Sequence, residues 1–388
     1  MTSPRARDAA LTLVGFAAVL LYILACASFS PDDSKVLFPS NDPKTGGAVL
    51  AVYDRGAHTT RALLAFPPPS GDNNDGYMIR PAWTPDGSHV VALWGDTDKE
   101  LRITVLPISG KGPTRMLVVK HLEGDMPSAM LVAPPIVGSR LFSGEDGQIR
   151  RVDLQSGVEL VKKIEGEVLL VGQPDRIYYG RELSEEGKEK RAEVGLVDAD
   201  TLALTPLFET TGTAGDPPFF AVSRDGARVA IAGGKDDEPQ ILVFEGNQLR
   251  NTIPIGGKTD DMRLGFFQWS HDGATLYGVF RTKVADSEYQ LGVLEIPASG
   301  GVARRIPLFR VTGKEDSDMS TLQVDVSHDG KTIAAASTYL QTSSGAKAQR
   351  RLKPEDLALY FIDLSRPDRK ITKVPIPPLP APVGAEAK

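Results

Sequence analysis

A turn-and-strand motif that recurs along the chain constrains the fold more than any other feature of the sequence. Four segments combine Ser or Thr, one variable residue, Asp-Gly and an apolar strand, and a fifth has Asp33 in place of the glycine. The five copies span residues 29–38, 82–92, 221–230, 268–277 and 325–334. An Asp-Gly pair tolerates the positive φ angles of a tight turn, and the apolar run after it is typical of a buried strand. The motif therefore predicts a repeated β-hairpin.

A second motif recurs seven times and gives the number of repeats. It is an apolar strand that ends in a polar turn residue or proline, and its copies end at Asp54, Pro107, Asp153, Asp198, Glu245, Glu295 and Asp363. Successive ends are 53, 46, 45, 47, 50 and 68 residues apart, close to the roughly 40–50 residues of a four-stranded blade. The sequence therefore predicts an all-β fold, a seven-bladed β-propeller of four-stranded antiparallel blades, with six or eight blades as alternatives.

The predicted propeller occupies residues 27–377. Its blades near 136–165 and 167–209 keep the second motif but lack the Asp-Gly motif. The inner strand of the first blade is expected to be short, because it starts directly after the N-terminal segment, and the strand at 370–376 is expected to complete the seventh blade. Residues 378–388 form a proline-rich tail that we expect to be extended or disordered.

Residues 1–26 are predicted to target the chain to a membrane. Arg5 and Arg7 precede an apolar run over 9–25, which is long enough, at ~1.5 Å per residue, to cross a bilayer as a helix. The string Ile23-Leu24-Ala25-Cys26 resembles a bacterial lipoprotein signal, in which Cys26 is lipidated after cleavage. The alternatives are an uncleaved anchor, an ordinary cleaved signal and a core helix of a soluble protein. In all but the last, the propeller lies outside the cytoplasm.

The Asp-Gly motif resembles the Trp-Ser-Pro-Asp-Gly repeats of TolB-type propellers, which also occur in the propeller domains of prolyl-oligopeptidase-like enzymes. The resemblance covers residues 29–377 and implies the architecture rather than an activity. We expect neither the small α/β domain that precedes the propeller in TolB nor the hydrolase domain of the peptidases, and no Gly-x-Ser-x-Gly motif occurs in the chain. TolB is a periplasmic protein that contacts envelope lipoproteins, so the resemblance implies a binding role.

Charge and cysteine content exclude several classes of function. The formal net charge of -6 argues against a nucleic-acid binder, which needs a basic face. Cys26 is the only cysteine, which excludes an internal disulfide and any thiolate-rich metal site. His58, His89 and His121 have no partner residue at metal-binding spacing. We therefore predict no cofactor.

Two histidines and two tryptophans occupy matching positions of the Asp-Gly motif. His271 and His328 take the place of the usual proline, and we interpret them as turn residues at the rims of separate blades rather than as ligands. Trp83 and Trp269 precede their turns. We expect both rings to pack between neighbouring sheets rather than to form a stacking platform for a ligand.

Carboxylates recur in the predicted loops between blades. In a propeller these loops emerge on one face, and the Asp-Gly turns emerge on the other. The inter-blade loops carry ten acidic residues, namely Asp72, Asp75, Glu123, Asp125, Asp216, Asp260, Asp261, Glu315, Asp316 and Asp318. We predict an acidic collar at one mouth of the channel that binds a cationic partner segment or a metal ion. The alternative is a set of solvated loops, and the spacing in 72–76 does not match a calcium loop.

These features favour a non-enzymatic binding scaffold in the cell envelope, held to the membrane through its N-terminus and presenting loops to a protein or cell-wall-linked partner. The alternative is a propeller enzyme of the lactonase, lyase or hydrolase type, with His, Asp or Glu from several inner strands at the channel mouth. The inner strands are expected to contribute mainly Val, Ala, Leu and Gln268, which argues against catalysis. A sensing domain is a third possibility, but we expect no cytoplasmic output domain because few residues precede Ala9.

Overall fold

Seven four-stranded antiparallel sheets make up the protein in the computed structural model. The structure describes residues 27–41, 48–66, 78–96, 100–110, 113–119, 133–145, 147–183, 190–213, 218–235, 238–255, 267–285, 288–312, 322–337, 358–376 and 379. Within these ranges the regular structure is all strand, and no helix is long and apolar enough to cross a bilayer. The predicted membrane segment at 1–26 lies outside the described residues, as does Cys26.

Each sheet is one blade, built from four consecutive strands of the chain. Blade 1 contains β1 (Ser28–Phe29), β2 (Lys35–Asn41), β3 (Ala48–Asp54) and β4 (Thr59–Ala65). Blade 2 contains β5 (Met78–Trp83), β6 (His89–Asp96), β7 (Glu100–Pro107) and β8 (Arg115–Val119). Blade 3 contains β9 (Ile136–Val137), β10 (Arg140–Glu145), β11 (Gln148–Asp153) and β12 (Glu159–Lys163). Blade 4 contains β13 (Val168–Gln173), β14 (Arg176–Glu182), β15 (Arg191–Val197) and β16 (Leu204–Thr211).

The remaining three blades follow the same order. Blade 5 contains β17 (Phe220–Val222), β18 (Arg228–Lys235), β19 (Glu238–Glu245) and β20 (Gln248–Pro254). Blade 6 contains β21 (Gln268–Trp269), β22 (Thr275–Ala285), β23 (Glu288–Pro297) and β24 (Arg304–Thr312). Blade 7 contains β25 (Leu322–Val326), β26 (Thr332–Ser337), β27 (Ala358–Asp363) and β28 (Ile371–Pro375).

The first strand of each blade is the innermost. First strands of neighbouring blades approach one another, as in the pairs β17 and β21, β21 and β25, and β25 and β1, so the sheets form a closed ring around a channel. The seven blades confirm the predicted count and exclude the alternatives of six or eight. The two blades without an Asp-Gly motif, blades 3 and 4, are complete.

Apolar packing between blades forms the core. Seven clusters of buried residues occupy the seven spaces between neighbouring blades, one cluster in each space. In the space between blades 1 and 2, for example, Leu37 and Leu50 pack against Trp83 and Val90. Burial of one such side chain contributes about 1.5–3 kcal/mol, and no single blade could bury both of its faces alone.

The two ends of the propeller meet at the interface between blades 7 and 1, here called the seam. Each of these blades is made from its own stretch of chain, so the seam closes without a shared sheet. As predicted, β1 has only two residues and the C-terminal strand β28 completes blade 7. Leu379, which follows the predicted end of the propeller at 377, is buried in the seam cluster with Phe29 and Leu359.

Candidate functional site

Each Asp-Gly turn is held by a small hydrogen-bond network that uses its Ser or Thr and its Asp. In blade 5, the Ser223 hydroxyl donates to Asp225 Oδ1 at 2.6 Å, and the Arg228 N–H donates to Ser223 Oγ at 2.9 Å. The hydrogen bond from Ser223 lowers the pKa of Asp225, with help from the Ala227 N–H. The bond from Ser or Thr to Asp recurs in the other turns. In blade 2, hydrogen bonds from the hydroxyls of Ser88 and Thr84 lower the pKa of Asp86 to about 2. The network explains why the motif needs these residue types.

Successive turns pack on one another around the channel. A Cβ placed on Gly330 of blade 7 would lie 2.7 Å from His271 Cβ of blade 6, and one on Gly87 of blade 2 would lie 3.4 Å from Pro31 Cδ of blade 1. Both glycines also have positive φ, 70° and 67°. The turn conformation favours glycine at both positions. At Gly330 the turn of the preceding blade also leaves no room for a Cβ, whereas at Gly87 a Cβ would make an ordinary contact with Pro31.

At the seam, Asp33 replaces this glycine and bonds to the neighbouring turn. Its φ is 57°, a conformation that Asp adopts more readily than most residues. Asp33 Oδ1 accepts hydrogen bonds from the His328 N–H at 2.8 Å and from His328 Nδ1 at 3.0 Å, and Oδ2 accepts one from the Asp329 N–H at 2.9 Å. The aspartate thus ties the first turn to the last.

Arg224 extends the contacts across two further blades. Its Nη1 is 3.1 Å from His271 Nδ1 and donates to the His328 carbonyl oxygen at 2.9 Å. Arg224, His271, His328 and Asp33, from blades 5, 6, 7 and 1, are called the Asp-Gly mouth below. His271 and His328 are turn residues, as interpreted from the sequence. Although they belong to separate blades, both contact Nη1 of Arg224.

Polar side chains of the inner strands join one inner strand to the next. The Gln173 amide donates to the Val222 carbonyl at 2.8 Å, and Gln268 Oε1 accepts from the Val326 N–H at 3.2 Å. Trp83 Nε1 donates to the Ser28 carbonyl at 3.0 Å, and Trp269 Nε1 donates to the Ala221 carbonyl at 3.1 Å. The two tryptophans pack between sheets, as expected from the sequence.

Asp325 of β25, like Gln173 of β13, is a polar inner-strand residue that the sequence analysis did not single out. Its Oδ2 accepts a hydrogen bond from the Phe29 N–H across the seam at 2.7 Å. Desolvation raises the pKa of Asp325 to about 6, although the bond from Phe29, the charge of His328 and a bond with Gln268 act in the opposite direction. The inner strands are mainly apolar, and Asp325 is an acidic residue that the expectation of Val, Ala, Leu and Gln268 did not include.

The acidic collar lies outside the described residues, because all ten carboxylates fall in the gaps between the described ranges. The face that carries these loops is the one opposite the Asp-Gly turns, since the four strands of every blade are antiparallel and consecutive. Within the described part of the chain, no group of three or more His, Cys, Asp or Glu side chains could hold a metal ion. The collar thus stays a prediction.

Comparisons with known proteins place the chain in a fold class and no further. No protein-family model matches the sequence, and no curated protein matches it. A chain of the mitotic checkpoint complex has a similar structure, with a TM-score of 0.52 at 15% identity over 82% of this chain and 86% of that chain. A provisionally named 6-phosphogluconolactonase from Bacteroides uniformis has a TM-score of 0.50 at 13% identity, over 88% of this chain and 95% of that chain.

TolB from Acinetobacter baumannii is also among the similar structures, at a TM-score of 0.43 and 16% identity, over 71% of this chain and 64% of that chain. Identities in this range show the fold alone, and the TM-score for TolB is too low to carry an argument about relationship. The protein is a seven-bladed β-propeller of four-stranded blades.

Proposed function

We propose that the protein is a non-enzymatic binding scaffold. The observation that carries this proposal is the use of polar side chains within the channel. A propeller enzyme would need free polar side chains on its inner strands to act on a substrate. Here each of three such side chains bonds to a backbone group of a neighbouring inner strand, namely Gln173, Gln268 and Asp325. Their polar atoms hold the ring together, which leaves the loops and turns of the two faces as the surfaces for a partner.

The proposed location is the extracytoplasmic side of a bacterial membrane. It rests on the basic and apolar sequence of residues 1–26 and on the lipoprotein-type string that ends at Cys26. Ala27 is buried against the seam, so a lipid on Cys26 would hold the propeller close to the bilayer. Because β1 runs toward the first Asp-Gly turn, the collar face would be nearer the membrane and the Asp-Gly mouth would face away from it.

The proposed partner is a protein of the envelope. The similar chain from the mitotic checkpoint complex belongs to a multi-protein assembly by its name, so propellers of this kind serve protein assembly elsewhere. Two surfaces are available: the acidic collar, which would attract a cationic segment, and the Asp-Gly mouth. The cationic partner remains the prediction for the collar.

The second candidate function is a propeller enzyme with Asp325 as its acid–base group. The raised pKa of Asp325, about 6, favours this candidate because strongly perturbed carboxyls cluster at active sites. The similar structure that is provisionally named a lactonase points the same way. Against it, the carboxylate is already bonded to the Phe29 N–H at the seam, which gives it a structural role.

An affinity pull-down from detergent-solubilised envelope, with the full chain as bait, tests the scaffold role. We expect one stoichiometric protein partner. Its loss with Asp260→Asn, Asp261→Asn, Asp316→Asn and Asp318→Asn combined would locate the partner on the collar. Hydrolysis of a lactone by the full chain, abolished by Asp325→Asn while the fold is kept, would overturn the proposal in favour of the enzyme.

Membrane fractionation of the full chain and of Cys26→Ala tests the location. A lipidated protein is expected in the membrane fraction, and Cys26→Ala should lose both the lipid and the processed N-terminus. If both proteins stay in the membrane, the segment acts as an uncleaved anchor. Recovery of the unmodified full chain in the cytoplasm would contradict an envelope location.

A further inference from the structure

The guanidinium of Arg224 is fixed in orientation at the Asp-Gly mouth. Its Nη1 makes two hydrogen bonds, to His271 Nδ1 at 3.1 Å and to the His328 carbonyl at 2.9 Å. Nε and Nη2 have no hydrogen-bond partner among the residues that the structure describes. The protein therefore holds the guanidinium through Nη1, while the Nε–Nη2 edge is available for a ligand. This is the edge that can bind a carboxylate through two parallel hydrogen bonds.

The two imidazoles beside Arg224 have definite hydrogen-bond roles. A guanidinium can only donate, so His271 Nδ1 is an acceptor and the ring proton of the neutral imidazole lies on Nε2. An ionised carboxylate can only accept, so His328 Nδ1 donates to Asp33 Oδ1. In the described part of the chain, neither Nε2 has a partner. His271 thus offers a further N–H donor on the imidazole that contacts Arg224.

The aspartates next to Arg224 and His271 in the sequence bond within their own turns. Asp225 Oδ1 accepts from the Ser223 hydroxyl at 2.6 Å and from the Ala227 N–H at 3.0 Å. Asp272 Oδ1 accepts from Ser270 at 2.6 Å and from the Ala274 N–H at 3.0 Å. Among the described residues, no carboxylate pairs with Arg224, which is exposed.

Other arginines of the protein show the contrast. Arg369 Nη2 donates to Glu295 Oε1 at 2.6 Å, and Arg369 Nε donates to Glu295 Oε2 at 3.2 Å. Glu295 thus binds the Nε–Nη2 edge of Arg369, the edge that is open in Arg224. Arg181 Nε donates to Glu193 at 2.8 Å. Among the described residues, Arg224 differs from these arginines in that its Nε and Nη2 make no bond to a carboxylate.

We propose that the Asp-Gly mouth is a receptor for a carboxylate group presented by a partner polypeptide, either its C-terminus or an acidic side chain. Arg224 binds the carboxylate through Nε and Nη2, and His271 donates a third hydrogen bond from Nε2. The proposal rests on the scaffold role proposed above and places a second binding surface on the face opposite the acidic collar. This surface selects an anionic segment, whereas the collar is predicted to bind a cationic one. The carboxylate chemistry itself can be tested without the envelope partner.

The test is a titration of the full chain, in detergent micelles and labelled with ¹³C at the histidine rings, with N-acetyl-glycylglycine. Its C-terminal amide and inorganic phosphate are titrated in parallel. We expect saturable shifts of the His271 and His328 ring signals with the free acid and none with the amide. Equal shifts with acid and amide, no shifts with either, or tighter binding of phosphate than of the peptide acid would each overturn the proposal.

Variants at Arg224 test the geometry. Arg224→Gln should weaken binding of the free acid at least tenfold, and Arg224→Lys, which keeps the charge but lacks the planar fork, should give an intermediate loss. The control is Arg250→Gln on the outer strand of the same blade, where Arg250 pairs with Glu245 and should not affect binding. Unfolding in urea verifies that each variant is folded. Undiminished binding by folded Arg224→Gln would contradict the proposal.

This experiment separates the failure of the site from the failure of the scaffold role. If the peptide acid binds but the pull-down retains no protein, the carboxylate site is supported and the proposal of an envelope partner is contradicted. If the pull-down retains a partner equally with Arg224→Gln and with the unaltered protein, and the peptide does not bind, the scaffold stands and this receptor is wrong.

Discussion

Asp33 Oδ1 accepts hydrogen bonds from both the backbone N–H of His328, at 2.8 Å, and the ring nitrogen Nδ1 of His328, at 3.0 Å. The two residues lie in the first and the last Asp-Gly turns, so these bonds cross the seam. Because blades 7 and 1 share no strand, the ring is closed by side chains and apolar packing alone. Arg55 adds to the closure by lying 5.3 Å and 5.6 Å from the ring centroids of Phe29 and Phe361.

The seam is predicted to depend on Asp33. Asp33→Gly restores the glycine of the other turns and keeps the positive φ, but it removes three hydrogen bonds to blade 7. We expect the free energy of unfolding in urea to fall by about 1–3 kcal/mol, because charge-assisted hydrogen bonds are lost and two N–H groups lose their partner.

Asp175→Asn is the matched control for this change. Asp175 lies in the first turn of blade 4 with a side chain that is 79% exposed, so its neutralisation should alter stability by less than about 0.5 kcal/mol. If Asp33→Gly is as stable as Asp175→Asn, the bonds to His328 do not hold the seam.

The pH dependence of stability should report on Asp325. Its pKa is raised from 3.8 to about 6 by desolvation, so the ionised carboxylate destabilises the folded state. This penalty is fully present above pH 6 and disappears as the pH falls through 6 toward 4. Asp325→Asn keeps an oxygen that can accept from the Phe29 N–H and should be more stable than the unaltered protein at pH 7.5, by on the order of 1–3 kcal/mol.

Urea unfolding of both proteins between pH 4.5 and 8 measures this difference. The two unfolding free energies should converge as the pH is lowered. A variant that is less stable by the same amount at every pH would show that the carboxylate stabilises the seam in its ionised form.

The sequence predicted the blades well because the determinants of each blade are local. Asp-Gly turns, the Ser or Thr before them and the alternation of the next strand lie within about ten residues of one another. The packing of the tryptophans was also predictable, since a large aromatic ring that precedes a turn can bury its area against the neighbouring sheet. The contacts of Arg224 were not, because the variable turn position has no preferred partner within its own blade.

Two signals for the seam were present in the sequence. Asp33 is a residue other than glycine at a position of positive φ, which indicates that its side chain makes a contact. Asp325 aligns with Ser28, Ala82, Ala221 and Gln268 in the other copies of the motif. A carboxylate where three of the four other copies have small residues indicates a specific partner. Neither signal identifies that partner, because ring closure joins residues almost 300 positions apart.

The indole N–H of Trp269 is predicted to stabilise the interface between blades 5 and 6. Trp269 is buried and donates from Nε1 to the Ala221 carbonyl at 3.1 Å. Trp269→Phe keeps an aromatic ring but removes the donor and some volume, and should lower the free energy of unfolding by about 1–3 kcal/mol. Trp94→Phe, whose Nε1 bonds to Thr104 within blade 2, is the comparison.

Thermal unfolding followed by two probes distinguishes a local from an interface effect. Because the Trp269 bond joins two blades, its loss should also broaden the transition or separate the probes, whereas the Trp94 change should lower the midpoint of a single transition. Identical single transitions for both variants would show that the indole bond does not couple the blades.

Glycine in the Asp-Gly turns should be required for packing between blades and not only for the turn. Gly330 and Gly246 have similar φ angles, 70° and 60°, so alanine meets the same backbone strain of about 1 kcal/mol at both positions. A Cβ on Gly330 would lie 2.7 Å from His271 Cβ, whereas one on Gly246 meets nothing within 4 Å. His271 Cβ is fixed to the backbone and cannot move aside as the end of a long side chain could.

We therefore expect Gly330→Ala to lower the free energy of unfolding by about 2–4 kcal/mol and Gly246→Ala by about 1 kcal/mol. Urea denaturation of both variants measures the difference, and equal losses would mean that the turns of blades 6 and 7 are not packed against each other.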